Sequence, residues 1–384
     1  MRYLFVTLSF FTSMCFAMVI IPKLLEMAVK YSLFDKQDDR KIHKGEVPRI
    51  GGVSFVPCIL FSMMFVMGIF QKFYQNETID YRVIPNYGEL SFFICGLLLL
   101  YLGGVKDDLV GLRYFYKFLM QVISSGLLII SGLYINNFHG FLGIHEFPTS
   151  LGIPLTVLLM VFIINAINLI DGIDGLASGI SIFALCVYGT LYMLNDLWFY
   201  VIIAFSSIGV LLTFFYYNVF GSVLKRRKLF MGDSGSLTLG FILGFLAIRY
   251  VHYDSNFIKP NGDTLVLAMS PLLIPMLDVM RVALSRAIRR KHLFKGDRSH
   301  IHHKLLDLGL RESTALVMLL CMSSGLFAVN YLLMGVLNSS LIFAIDVALW
   351  IILNMYISHL LGKRTDKPDD QKLDAEKSNK IVLE

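Results

Sequence analysis

The sequence predicts an all-α fold: a polytopic integral membrane protein with about eleven transmembrane helices, its N-terminus outside and its C-terminus cytoplasmic. Three observations carry that reading. Of the 384 residues, 56% are hydrophobic and only 16% charged, whereas soluble domains average about 25% charged residues. Eleven apolar runs approach the length of a bilayer-spanning helix. Lysine and arginine alternate with those runs, gathering in every second loop.

The first run, 3–21, comes after one basic residue, Arg2. No small-x-small cleavage site precedes the basic stretch after it, so it reads as a retained membrane helix and not a signal peptide. Further runs lie near 50–70, 88–104, 115–134, 151–170, 174–193, 197–217 and 233–250. Asp171 and Asp174 supply the break between the fifth and sixth. The ninth, 264–286, contains Pro271 and Pro275, which predict a kink. The last two are 314–335 and 340–361. This gives one transmembrane domain, 1–361, with cytoplasmic active-site loops, and a polar, disordered cytoplasmic tail, 362–384. All five cysteines lie inside apolar runs without metal-ligand spacing and read as packing residues.

The loops on the side of residues 22–49 hold 27 Lys/Arg, against four on the other side. That bias places the first side in the cytoplasm. Four polar clusters fall on it. Lys106-Asp107-Asp108 comes just after the third run, and two adjacent carboxylates at a membrane surface need solvent, a partner or a metal. They suit a general base or a divalent cation, and a solvated loop is the plain alternative. Lys117 lies within reach as a phosphate partner.

Asn165, Asn168, Asp171 and Asp174 recur every three residues, which a helix would set along one stripe. Gly172 and Gly175 allow backbone to approach a ligand. This exceeds what a cap and turn require. Phe230-Met-Gly-Asp233-Ser234-Gly-Ser236 opens the eighth run, where a helix N-terminus suits phosphate or a metal carrying it. An ordinary N-cap by Asp233 or Ser234 is the competing reading. Arg298, His300, His302, His303 and Lys304 form the fourth cluster. Three histidines in four residues invite zinc, but no cysteine is near and the flanking cations favour an anionic ligand. Asp278 and Arg281, three apart in the ninth run, read as a structural pair, and Asp346 has no evident role.

These segments, together with Pro48-Arg-Ile-Gly51-Gly52, resemble in order the polyprenyl-phosphate N-acetylhexosamine-1-phosphate transferase family, from about residue 20 to 361. The His-Ile-His-His run is similar to the branch that starts O-antigen, enterobacterial common antigen and teichoic acid linkage units. The resemblance implies transfer of N-acetylhexosamine-1-phosphate, with GlcNAc-1-phosphate as first choice, from a UDP-sugar to undecaprenyl phosphate, releasing UMP. Another UDP-N-acetylhexosamine or UDP-MurNAc-pentapeptide is the alternative donor. Its partners would be those two substrates and the lipid bilayer, with no nucleic acid and with a homodimer allowed. The setting would be the cell inner membrane.

The resemblance also implies residue roles. Asp233 and Asn168 would hold Mg²⁺, for which Mn²⁺ can substitute. Asp107 and Asp108 would be catalytic, near the acceptor phosphate. Phe230 would stack on uracil, with Asp171, Gly172 and Asp174 on the same substrate face. Lys117 would contact phosphate, and Lys44 phosphate or nucleotide. Arg298, His300, His302 and His303 would surround the sugar phosphate and N-acetyl group. Direct attack by the lipid phosphate and a route through an aspartyl-phosphate both remain open. The rival from another class is a secondary transporter. It would need polar positions through the full membrane thickness, whereas here they gather on one face.

Overall fold

The computed structural model describes residues 2–31, 33, 47–73, 87–146, 148–252, 262–290 and 299–365. Its helices are α1 (Arg2–Lys30), α2 (Phe55–Phe73), α3 (Tyr87–Val110), α4 (Tyr114–Ile130), α5 (Thr149–Ile170), α6 (Leu176–Leu194) and α7 (Trp198–Val219). They continue with α8 (Gly232–Val251), α9 (Thr264–Met269), α10 (Leu273–Ile288), α11 (Ile301–Asp307), α12 (Glu312–Leu333) and α13 (Ser339–Thr365). Among the described residues the one extended pairing is an isolated bridge, Asn137 to Glu146.

Ten helical stretches among the described residues are long and apolar enough to cross a membrane. The eleventh expected span, α4, has 17 residues, about 25 Å at 1.5 Å per residue, short of a roughly 30 Å hydrocarbon core. It stops before the predicted boundary because the chain turns at Ser131-Gly132. In the ninth span the predicted kink is a 3₁₀ turn, Ser270–Leu272, between α9 and α10, with Pro271 inside it. The first and last helices outrun their apolar stretches, to Lys30 and Thr365, so the tail begins later than expected. Residues 366–384 of that tail lie outside the described residues.

Helix α8 is the axis of the bundle: every residue from Ser234 to Val251 is buried. Helices α3 and α5 flank it, α7 packs beside α6, and α1 runs along α7. Lipid tails are as apolar as leucine, so helices associate here through close packing of small residues and through hydrogen bonds. The α5–α8 seam shows both. Ser236, Gly240 and Gly244 recur every four residues on α8 and meet Asn168, Ile164 and Met160, spaced four apart on antiparallel α5. A Cβ on Gly240 would sit 2.7 Å from the Ile164 Cα. On the α3 side, a Cβ on Gly104 would sit 2.5 Å from the Ser234 Cα.

The far end of α8 is fastened by charge. Arg249 donates from Nε to the Tyr200 hydroxyl at 2.8 Å, which donates to Glu89 at 2.8 Å. The Arg249–Glu89 pair itself spans 3.3 Å. A cation at a helix C-terminus also opposes the helix dipole.

Gly240→Ala is expected to destabilise the protein by about 1–3 kcal/mol, because backbone and not a flexible side chain receives the methyl. Gly68→Ala, with nothing within 4 Å, should leave the thermal midpoint unchanged or raise it slightly. Melting curves of the two variants in one detergent check this.

Candidate active site

The site forms where α8 begins, and its floor is backbone. The chain before α8 pairs with the Pro48-Arg-Ile-Gly51-Gly52 motif. Phe230 N–H donates to the Pro48 carbonyl at 2.9 Å, Gly51 N–H to the Phe230 carbonyl at 2.9 Å, and Gly52 N–H to the Met231 carbonyl at 2.8 Å. Gly52 lies so close to α8 that a Cβ there would stand 2.0 Å from the Gly235 nitrogen. Gly232 makes the turn into the helix with φ +73°, a left-handed conformation that costs glycine little.

Neither Asp233 nor Ser234 caps α8 with its side chain. The cap comes from α3: Asp108 accepts from the Asp233 N–H at 2.7 Å and from the Ser234 N–H at 2.9 Å, one carboxylate oxygen each. Two of the four orphan amides of the helix are thus satisfied by a neighbouring helix. The negative charge also lies at the positive end of the helix dipole.

Around that cap the predicted residues converge. Lys117 on α4 donates to Asp107 at 2.6 Å and to Asp233 at 2.7 Å, its ammonium held between the two carboxylates. Asp107 also accepts from the Leu112 N–H at 2.6 Å, which closes the α3–α4 turn. Asn168 on α5 donates to Ser236 at 2.8 Å and to Asp233 at 3.3 Å. Asn165, one turn earlier, is spent on structure: its amide donates to Gln121 of α4 and to the Val161 carbonyl, both at 2.7 Å.

The loop between α5 and α6 forms the second wall. Asp171 is exposed at its start and lies in the field of Arg49 and of the Asp233, Asp174 and Asp108 carboxylates. Asp174 is paired with Lys228 and takes a 3.4 Å contact from Asn218. Asn218 accepts from the Gly175 N–H at 2.6 Å and donates to the Leu229 carbonyl at 2.9 Å, stapling this loop to the segment that carries half-buried Phe230. The third wall is histidine. His302 is buried against Gly172, where a Cβ would meet its Nε2 at 2.0 Å. Its ring stacks on His300 at 5.8 Å and tilts against His303 at 4.2 Å.

Lys44 and Arg298 lie outside the described residues. The others form two adjoining groups, one on the α8 N-terminus and one where the histidines meet Gly172. Sequence reasoning passed over Gln121, Asn218, Lys228 and the wider use of Asp278. A lone amide in an apolar helix requires a partner, and that signal was present for Gln121 and Asn218. Lys228 is one of four consecutive basic residues, and nothing local separates it from its neighbours.

The oxygen donors of Asp107, Asp108 and Asp233 lie within 4.8 Å of one another. Three hard oxygen donors this close, with only one ammonium between them, suit a divalent cation of the Mg²⁺ type. Asp108 has both oxygens on backbone, Asp107 has one on backbone and one on Lys117, and Asp233 has neither on backbone, so Asp233 and Asp107 are the better placed to ligate a cation. Asn168 faces Asp233 through its amide nitrogen, and its oxygen would reach a cation there only with the amide turned over.

Burial first, then the neighbouring His303 and His300, push the His302 imidazole down to about 3. An unfolded histidine protonates near 6.5, so below that pH the unfolded chain binds a proton that the folded one refuses. The stability contribution is complete above about pH 6.5 and is lost as pH falls toward about 3. Thermal midpoints should therefore fall more steeply between about pH 6.5 and 4.5 in the native protein than in His302→Gln, as a pH series in detergent would show.

Residues 90–251 match the family described as glycosyl transferase family 4, and they contain three of the five motifs. Over 319 residues the chain is 26% identical to the probable undecaprenyl-phosphate N-acetylglucosaminyl 1-phosphate transferase of Bacillus subtilis, covering 83% of this chain and 82% of that protein. It is 25% identical over 343 residues to the undecaprenyl-phosphate alpha-N-acetylglucosaminyl 1-phosphate transferase of Yersinia pestis, covering 89% and 86%. The Escherichia coli K12 protein of that same description is 27% identical over 296 residues, covering 77% and 74%. Over residues 90–251, this multi-pass membrane protein is thus similar to glycosyl transferase family 4.

Proposed function

We propose that this protein transfers N-acetylhexosamine-1-phosphate, GlcNAc-1-phosphate first among the candidates, from its UDP-sugar to undecaprenyl phosphate and releases UMP. The observation that carries the reading is the meeting of Asp107, Lys117, Asn168 and Asp233 at the N-terminus of a buried helix. The relatives, undecaprenyl-phosphate N-acetylglucosaminyl 1-phosphate transferases, suggest the acceptor and the transferred group.

The reaction must bring a lipid phosphate beside a nucleotide diphosphate. Both are anions, and their repulsion has to be neutralised before they react. A Mg²⁺ ion, held by Asp107 and Asp233 with Asn168, would supply charge neutralisation to the donor pyrophosphate. Lys117 supplies a second positive charge, and its bonds to both carboxylates place it where it can pass to phosphate oxygens. Asp107 is our choice for the group that orients the acceptor phosphate or takes its proton, since Asp108 is committed to the helix cap. Phe230 offers an aromatic face for the uracil, beside the 171–175 loop. The acceptor's tail needs the bilayer and the donor needs water, so the site belongs at a membrane boundary. The 27-to-4 bias of Lys/Arg supports the cytoplasmic face as that boundary.

Purified protein incubated with undecaprenyl phosphate, Mg²⁺ and a panel of UDP-N-acetylhexosamines should release UMP only when lipid, metal and one donor are all present. Absence of release from folded protein with every donor contradicts the reading. Asp233→Asn should lower turnover by about 100-fold or more, with a raised Mg²⁺ requirement. Near-native turnover at low Mg²⁺ would remove Asp233 from the metal site.

A further inference from the structure

Asp278 is a carboxylate with no exposed surface on the membrane-embedded α10. A buried charge is costly unless its hydrogen bonds are made, and these are made in one direction. Its Oδ2 accepts from His300 Nδ1 at 2.8 Å. Its Oδ1 accepts from the Ile301 N–H at 3.1 Å and from Arg281 Nη2 at 2.8 Å. Arg281 continues to the Ser299 carbonyl at 2.5 Å. The pair expected from sequence as a structural ion pair is thus a clamp on residues 299–301.

An ionised carboxylate is acceptor-only. Its bond to Nδ1 therefore requires the proton on Nδ1 and leaves Nε2 as the acceptor of the neutral ring. The His300 ring also stacks on His302 with planes 7° apart. His302 has both ring nitrogens buried without a hydrogen-bond partner and sits against Gly172 of the Asp171–Asp174 loop.

We propose that Asp278, clamped with Arg281, is a positioning residue for the transferase reaction: it fixes the Nδ1–H tautomer of His300 and sets the histidine wall against the donor loop. The inference rests on the function proposed above. It makes a sharp forecast for an isosteric change. In Asp278→Asn, the side facing both Ile301 N–H and Arg281 must remain the oxygen. The amide NH₂ then faces His300 Nδ1, which becomes an acceptor, and the proton moves to Nε2. Packing is kept and the tautomer is reversed.

Protein labelled with ¹⁵N-histidine, with the His300 signals assigned by loss in His300→Gln, reads this directly. The native protein should show His300 as Nδ1–H and Asp278→Asn as Nε2–H. UMP release should fall in kcat by about 10²- to 10⁴-fold, the range for a histidine deprived of its orienting carboxylate, with donor KM within about threefold. Asp278→Asn and His300→Gln combined should lose no more than the worse single variant, because both act through one ring. An Nε2–H tautomer in the native protein overturns the proposal. So does near-native kcat in folded Asp278→Asn, or losses that multiply in the double variant. If Asp278→Asn does not fold, the native tautomer and the Arg281→Lys variant decide: that variant keeps the charge and should hold kcat within about tenfold. If the native protein releases no UMP with any donor, the functional reading fails while the tautomer still tests the clamp.

Discussion

The site depends on one contact between helices: the Asp108 carboxylate of α3 closed over the first amides of α8. A buried helix start leaves N–H groups that water cannot reach, and leaving them unpaired is costly. Asp108 resolves this from outside the helix, and in doing so sets the height of α3 against α8. Gly104 and Gly232 make the approach sterically possible. Because Asp107 is the adjacent residue, the same contact delivers it to Lys117 and Asp233. Adjacent aspartates thus divide the labour, one capping α8 and the other pairing with Lys117.

The α5–α8 seam completes the arrangement. Close packing at Gly240 and Gly244 fixes the register of two antiparallel helices, and one turn further along that register places Asn168 on Ser236 and Asp233. Within a membrane such positions are expensive to fill with polar groups. They are sustained because each group satisfies another: Asn165 with Gln121, Asn168 with Ser236, Lys117 with two carboxylates. The outcome is a preorganised cluster of three carboxylates around a single ammonium.

Much of this was legible in the sequence, for identifiable reasons. The spans arise from apolar run length, and the kink at Pro271 from proline's missing donor. The α5–α6 break at Asp171 arises from two carboxylates three residues apart, Asp171 and Asp174, that a bilayer would not accept. The site was legible as residue types, because Asp107, Asp108, Asn168 and Asp233 stand at the ends of apolar runs where chemistry can meet water. Their partnerships were not. That Asp108, and not Asp233 or Ser234, caps α8 depends on how α3 lies against α8, which no local pattern encodes. Asp278 and Arg281 were read at helical spacing as a pair, which they are. Their grip on residues 299–301 is a contact across 18 to 23 positions of chain and needed the fold. The short α4 escaped because its apolar composition continues past the glycine that ends it.

The central claim is that donor and metal meet at the N-terminus of α8. The most direct test is a cryo-electron microscopy map of the protein with Mg²⁺ and UDP-N-acetylglucosamine. The account predicts metal density against Asp107 and Asp233, with pyrophosphate beside Lys117 and uracil on Phe230. Nucleotide density elsewhere in the bundle, with Lys117 still bridging the two carboxylates, would contradict it.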